Sequence, residues 1–349
     1  MSEKENLDRP APPPGPTVVV RRGRFGCLRV LFWPILIISV LLNMSLLGGG
    51  SAGLPTRLAE HYVAGSTDLS DPKVAVVEVE GTIAEGDTPG TRDAVGYALH
   101  QIRQARDDHT VKAVVLRIDS PGGTVSGSDR IWRELATLNG SVVGATKKPL
   151  VASMGGMAAS GGYYIAAPAD YIFAEPTTIT GSIGVLMQMP KVYGLMKEYG
   201  VEMETIKSGP FKDSSSMFRP MTDRERARWQ ELIDDTYDRF VRVVAQGRKL
   251  PEKDVRALAD GRVFTAREAL KGKLINELGY LDDAISKAQF LAGLSKARVV
   301  RYQRQVGLAD LLTGGLAGPA PGQLQLPLKG LDPDALLRLQ TPRLYLLAR

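Results

Sequence analysis

From residue 73 onward, the apolar positions alternate between runs suited to strands and spacings suited to helices. Val74-Ala75-Val76-Val77-Glu78-Val79 reads as a strand, and residues 94–105 carry Ala, Leu and Ile at helical intervals. Residues 111–118 (VKAVVLRI) read as a buried strand, 131–138 as a helix and 150–153 as a further strand. A small-residue segment then leads into a helix predicted to begin near Ser160. Alternation of this kind predicts an α/β fold with parallel sheet layers covered by helices. Residues 222–250 form a predicted long charged helix. Thr222 is its N-cap, Glu225 completes a capping box, and Asp223 lies in the first turn. A Gly/Pro-rich stretch at 314–330 ends the compact domain, and no internal repeat is visible.

The N-terminal part follows a different pattern. Residues 1–16 are polar and proline-rich, as in a disordered tail. Arg21, Arg22, Arg24 and Arg29 precede an uncharged, mostly apolar run at 30–47, at the short end of the roughly 20 residues a spanning helix needs. With every arginine on its N-terminal side, the run reads as a single-pass signal anchor. It leaves the tail in the cytoplasm and everything after Gly50 outside. The alternative is a cleaved signal peptide processed near 48–53, although its core is longer than the usual 7–15 residues or so. The expected organisation is a disordered basic tail (1–29), a transmembrane anchor (30–50), a linker (51–72), a catalytic domain (73–305), and a Gly/Pro linker with a C-terminal tail (306–349).

Composition narrows the chemistry. The 349 residues are 44% hydrophobic and 23% charged, a globular balance sufficient for one or two cores. The net charge of +6 is spread out, with no basic stripe interleaved with aromatics, which argues against nucleic acid as a partner. Cys27 is the single cysteine, so neither an intramolecular disulfide nor a thiolate zinc cluster can form. It precedes the apolar run and does not read as a lipoprotein cysteine. The three histidines, His61, His100 and His109, give no metal-site spacing, and no cofactor is expected.

Three segments depart from what a plain core needs. Asp119-Ser120-Pro121-Gly122-Gly123 ends a buried strand in a turn whose N–H groups can face a cleft, as an oxyanion site requires, or it is simply a strand-to-helix turn. Ser160 sits among small residues where a helix should begin. It is either an exposed nucleophile or the N-cap of a tightly packed joint. A nucleophilic serine needs a base. The histidine alternatives all lie upstream of residue 110, so a lysine from Lys207-Ser208-Gly209-Pro210-Phe211-Lys212-Asp213 is the other option. A lysine serves as base only where burial lowers its pKa from about 10.4; otherwise Lys212 is an ordinary surface lysine.

In order and spacing, DSPGG (119–123), MAASGGYYIAAPAD (157–170), TTITGSIGV (177–185) and GPFKD (209–213) resemble the SppA family of signal peptide peptidases. The stretch GRVFTAREALKGKLINELGYLDDAI (261–285) resembles the closing part of that family's catalytic domain, so the likeness runs from about residue 73 to 294. The resemblance implies a crotonase/Clp-protease-like fold of stacked ββα units. It implies Ser160 as nucleophile, Lys212 as general base, Ser182 as the residue orienting the lysine amine, and Gly123 and Gly161 as the oxyanion hole. It further implies peptide substrates, notably remnant signal peptides at the membrane, and assembly into a homo-oligomeric ring. Competing functions are a protease for one specific membrane or scaffold protein and a non-proteolytic crotonase-fold protein. Finally, Leu344, Leu346 and Leu347 make the C-terminal segment an extended apolar strand. It is expected either to enter an active-site groove and be trimmed or to pack on a neighbouring subunit.

Overall fold

Residues 74–79, 111–118 and 150–154 lie side by side as the central strands of one mixed sheet. The computed structural model describes residues 36–39, 57–86, 93–141, 147–304 and 345–347. It divides into two units, Met1–Gly53 and Leu54–Arg349. In the first unit the described residues, 36–39, are helical and exposed. The rest of the expected anchor lies outside the described residues, among which no helix is long and apolar enough to cross a membrane.

In the second unit the sheet is built on β2 (Lys73–Glu80), β3 (Val111–Ser120) and β5 (Leu150–Ala159), paired in parallel. β6 (Tyr171–Ala174) and β9 (Glu277–Leu278) extend it in parallel on one side. On the other side, β10 (Arg298–Gln303) is parallel to β2, and β1 (Ala59–Gly65) is antiparallel to β10. The order is β1-β10-β2-β3-β5-β6-β9. The stretch expected to be a linker therefore contains an edge strand.

Alternating side chains of the central strands feed two cores. Ala75, Val77, Val114, Leu116, Ala152 and Met154 enter the larger, and Val74, Val76, Ala113, Val115 and Val151 the smaller. This is the period of two of an extended chain, and burial on both faces explains the near-continuous apolar runs. The larger core takes the buried faces of α1 (Ala94–Asp107) and α2 (Val125–Leu138); the smaller takes α8 (Leu281–Leu291). Each fully buried Val, Leu or Ile contributes about 1.5–3 kcal/mol, which makes the β2-β3-β5 block the rigid frame for the loops at its C-terminal edge.

Between those loops lie α3 (Gly161–Ala166), β7 (Ile179–Gly181), α4 (Tyr193–Glu198), α5 (Asp223–Arg248), α6 (Glu252–Leu258), β8 (Val263–Thr265) and α7 (Ala266–Lys271). The capping box predicted at Thr222 and Glu225 opens α5. A separate two-stranded pair joins β4 (Gly122–Thr124) to β11 (Tyr345–Leu347), antiparallel.

Candidate active site

The DSPGG turn is fixed from beneath. Ser120 Oγ donates to the Gly81 carbonyl at 2.6 Å and accepts from the Gly122 amide at 3.1 Å. Gly122 has φ +105°, a conformation suited to glycine. Its carbonyl accepts from the Ile83 amide at 2.8 Å, and the Thr124 amide donates to the Ile83 carbonyl at 2.8 Å. Successive residues of a strand present their polar groups to opposite edges. With Gly122 and Thr124 turned toward Ile83, the N–H and C=O of Gly123 face the other way. A Cβ on Gly123 would collide with the Ile83 carbonyl, so only glycine lets the two backbones close up here.

Ser160 arrives on β5. The pairing of β5 with β3 shifts register between Ile118/Met154 and Ser120/Ala158, leaving a bulge that contains Gly155 and Gly156. Bulges re-aim the strand that carries them. The N-terminal half of β5 pairs with β6, while Met157–Ala159 pair with β7, itself antiparallel to β8. Asp119 Oδ1 accepts from the Met157 amide at 3.0 Å and ties the bulge to the DSPGG turn.

At the end of this redirected strand Ser160 has φ +53° and ψ −114°, and its amide donates to the Gly181 carbonyl at 2.7 Å. A non-glycine residue in this region costs about 1–3 kcal/mol and persists where its surroundings over-determine it. Ser160 is fully buried, and its Oγ has no hydrogen-bond partner among the described residues. It occupies the N-cap position of α3 but makes no side-chain capping hydrogen bond.

Gly161 follows as the first residue of α3, whose six residues are all buried. A Cβ on Gly161 would lie 2.5 Å from Ser128 Oγ and 3.1 Å from the Gly123 nitrogen. The two glycines expected to form an oxyanion hole are thus packed backbone to backbone beside Ser160. The short helix is pinned by Tyr163, which donates to the Leu274 carbonyl at 2.8 Å, and by Tyr164, which donates to Asp129 Oδ1 at 2.6 Å. Burial pushes both phenols well above their ordinary range and keeps them neutral donors.

Ser182 is also brought in. It follows Gly181, the residue whose carbonyl accepts from Ser160, and is buried with φ +50°. Its amide is held by the Arg262 carbonyl at 2.8 Å. Lys212 is different. It lies in an exposed turn, its amide donating to the Gly209 carbonyl at 3.2 Å, and its ammonium has no hydrogen-bond or ion-pair partner among the described residues. Neighbouring Lys207, by contrast, is ion-paired to Asp213, which also receives Arg219 at 2.7 Å. The structure brings together Ser160, Gly161, Gly123 and Ser182 and leaves Lys212 on the surface of the chain.

Several contacts that position the site gave no signal in the sequence. Ile83 acts through its backbone and Asp119 through the carboxylate that holds the Met157 amide, contacts that only the folded sheet reveals. Leu346, legible in the sequence only as part of an extended apolar tail, pairs with Gly123 and is 1% exposed, joining the larger core.

Comparison with known proteins fits this geometry. The family model described as Peptidase family S49 matches residues 144–295. A Synechocystis sp. protein named as a proposed protease is 41% identical over 245 residues, covering 70% of this chain and 83% of its own length. The chain belongs to peptidase family S49, the SppA family. A proposed signal peptide peptidase SppA of Enterococcus faecium is 35% identical over 238 residues, 67% of this chain and 68% of its own. Protease 4 of Salmonella typhi is 37% identical over 265 residues, which is 76% of this chain but only 42% of that protein's length. The S49 chain is accordingly a serine peptidase, its mixed α/β sheet fits a Clp-protease-like fold, and the non-proteolytic alternative is set aside.

Proposed function

We propose that this S49 peptidase is a membrane-anchored endopeptidase that cleaves membrane-associated peptides, remnant signal peptides among them, with a Ser160–Lys212 dyad. The supporting observation is the strained, buried Ser160, whose unbonded hydroxyl stands beside two closely packed glycine amides. An unpaired buried hydroxyl costs about 1–3 kcal/mol, which is compensated in a peptidase when Oγ gains a reaction partner. Neutral Lys212 takes the Ser160 proton and Oγ attacks a peptide carbonyl. The N–H groups of Gly123 and Gly161 stabilise the oxyanion, and water, activated by the same amine, releases the acyl-enzyme. Ser182 orients the lysine.

Within one chain Lys212 is exposed and unpaired, so the dyad is completed in a homo-oligomeric ring, where a neighbouring copy covers the Lys212 turn. The flanking surface favours such a contact. Tyr193, Leu195, Tyr199, Val201, Met203 and Ile206 are exposed, and α4 buries none of its residues. A cluster of this kind marks an interaction surface.

The apolar run at 30–47 anchors the chain, with the tail in the cytoplasm and the catalytic unit on the extracytoplasmic side. The full-length protein in lipid vesicles should hydrolyse a synthetic signal peptide, and Ser160→Ala should abolish that activity. Retention of full activity by Ser160→Ala would refute the assignment. Hydrolysis confined to one trapped membrane protein would replace the substrate class with that partner.

A further inference from the structure

Buried serine and threonine hydroxyls in this chain are mostly engaged. Ser120, Thr124, Thr178 and Thr180 donate to backbone carbonyls, and Ser153 Oγ accepts from Arg117. Hydroxyls within the helices behave likewise: Thr137, Thr236 and Ser286 each donate to the carbonyl four residues back. Two serines depart from this pattern. Ser160 and Ser128 are both fully buried, and neither Oγ has a hydrogen-bond partner among the described residues. Ser160 is the nucleophile of the proposed mechanism, in which Ser128 so far has no part. Ser128 lies in the first turns of α2, the helix that follows β4, and its hydroxyl does not take the carbonyl of Thr124 four residues back.

The Ser128 hydroxyl lies against the two glycines of the oxyanion site. A Cβ on Gly161 would stand 2.5 Å from Ser128 Oγ, 3.1 Å from Gly122 Cα and 3.1 Å from the Gly123 nitrogen, so the hydroxyl closes the space behind them. Packing does not account for it. Alanine would let α3 approach α2 as closely and favours a helix more. It would also leave no enclosed hydroxyl unpaired, an arrangement that destabilises a folded chain. We infer that Ser128 supports the oxyanion site: its hydroxyl, held by no bond in the resting enzyme, turns its O–H toward the negative charge that develops beside Gly123 and Gly161. This inference rests on the reading of Ser160 as nucleophile and of those two amides as oxyanion donors. A dipole enclosed in the core acts at low effective dielectric, where it stabilises a nearby charge more than it would in water. With no bond to break, the hydroxyl reorients at little cost as the substrate carbonyl becomes tetrahedral. Ser128 touches none of the reacting atoms and acts from behind Gly161. Its effect falls on kcat, because the bound peptide carries no such charge before attack. The unpaired hydroxyl thus lowers the stability of the resting enzyme and raises its rate.

The test is steady-state casein hydrolysis and thermal melting of full-length Ser128→Ala, measured beside the wild type and Ser160→Ala. Ser128→Ala should lower kcat by about tenfold, less than the roughly 10²–10³-fold lost with a donor in direct contact, and leave KM unchanged. It should do so without lowering the melting temperature, which removal of an unpaired buried hydroxyl should instead raise. Wild-type kcat in Ser128→Ala would overturn the inference. So would a change confined to KM, or a fall in kcat accompanied by a lower melting temperature, which would make the hydroxyl a packing element. Each of those results, with hydrolysis still dependent on Ser160, leaves the proposed function standing. Casein hydrolysis by Ser160→Ala at the wild-type rate would overturn both.

Discussion

Around Ser160 the neighbours are backbone groups and glycines, whereas around Lys212 they are charged side chains. The serine is placed by a bulge in β5, a bond to the Gly181 carbonyl and the close approach of Gly161 to Gly123, all inside the core. The 207–219 turn is placed by a chain of ion pairs running from Lys207 through Asp213 and Arg219 to Glu225 at the start of α5. The first arrangement is rigid and complete within one chain. The second fixes the backbone of the turn but leaves the Lys212 amine in solvent. In the proposed mechanism the nucleophile and oxyanion donors are thus preorganised, while the base depends on what covers the turn. On the proposed mechanism, such a division makes catalysis conditional on assembly.

The sharpest way to break this comparison is subunit complementation. Ser160→Ala and Lys212→Ala should each be inactive, the latter by about 10²–10⁴-fold, with melting temperatures close to wild type. Mixed after dissociation and reassembly, the two should regain a fraction of wild-type casein hydrolysis, because some interfaces then hold an intact serine beside an intact lysine. Recovery of none would place both groups in one chain. Lys207→Ala should cost less than tenfold, since that amine is engaged by Asp213.

A smaller but still large effect is expected at Gly123. Gly123→Ala introduces a Cβ that the Ile83 carbonyl already excludes, and strain of this kind costs about 3 kcal/mol or more. Thermal melting should show it together with a loss of activity. A stable, active Gly123→Ala protein would contradict the close backbone approach.

How much of this was legible in the sequence follows the same contrast. β2, β3 and β5 were visible because strands buried on both faces read as continuous apolar runs. The Thr222 and Glu225 capping box was visible because its spacing is local. The edge strand β1, AEHYVAG, was not, since half-exposed mixed residues carry no clear period. The glycines of DSPGG and the small residues about Ser160 marked the site, but the positive φ of Ser160 is imposed by the bulge and by β7. The extended character of the tail could be read from Leu344, Leu346 and Leu347. Its register on β4 could not, because it depends on contact between positions as far apart as 122 and 347.

The smallest effect is expected at acid pH. Glu225 is held at about 2 by its hydrogen bonds with Arg219, against an ordinary value of 4.5, and Asp213 is held well below the usual carboxylate range, first by Arg219 and then by Lys207. A depressed carboxylate stabilises the folded state above its unfolded value, and that stability is lost as pH falls through the folded one. Melting temperature should therefore fall between pH 4.5 and 2, and Arg219→Ala should flatten that part of the curve. An unchanged slope in the variant would show that the ion-pair chain does not hold the turn.

The dyad is tested most directly by covalent labelling of the full-length protein with a fluorophosphonate, with the modified residue mapped by peptide mass. The adduct should sit on Ser160 in the wild type, be absent from Ser160→Ala, form much more slowly in Lys212→Ala, and form faster as pH rises into the mildly alkaline range where an amine can accept a proton. An adduct on another residue, or labelling of Lys212→Ala at the wild-type rate, would contradict the account.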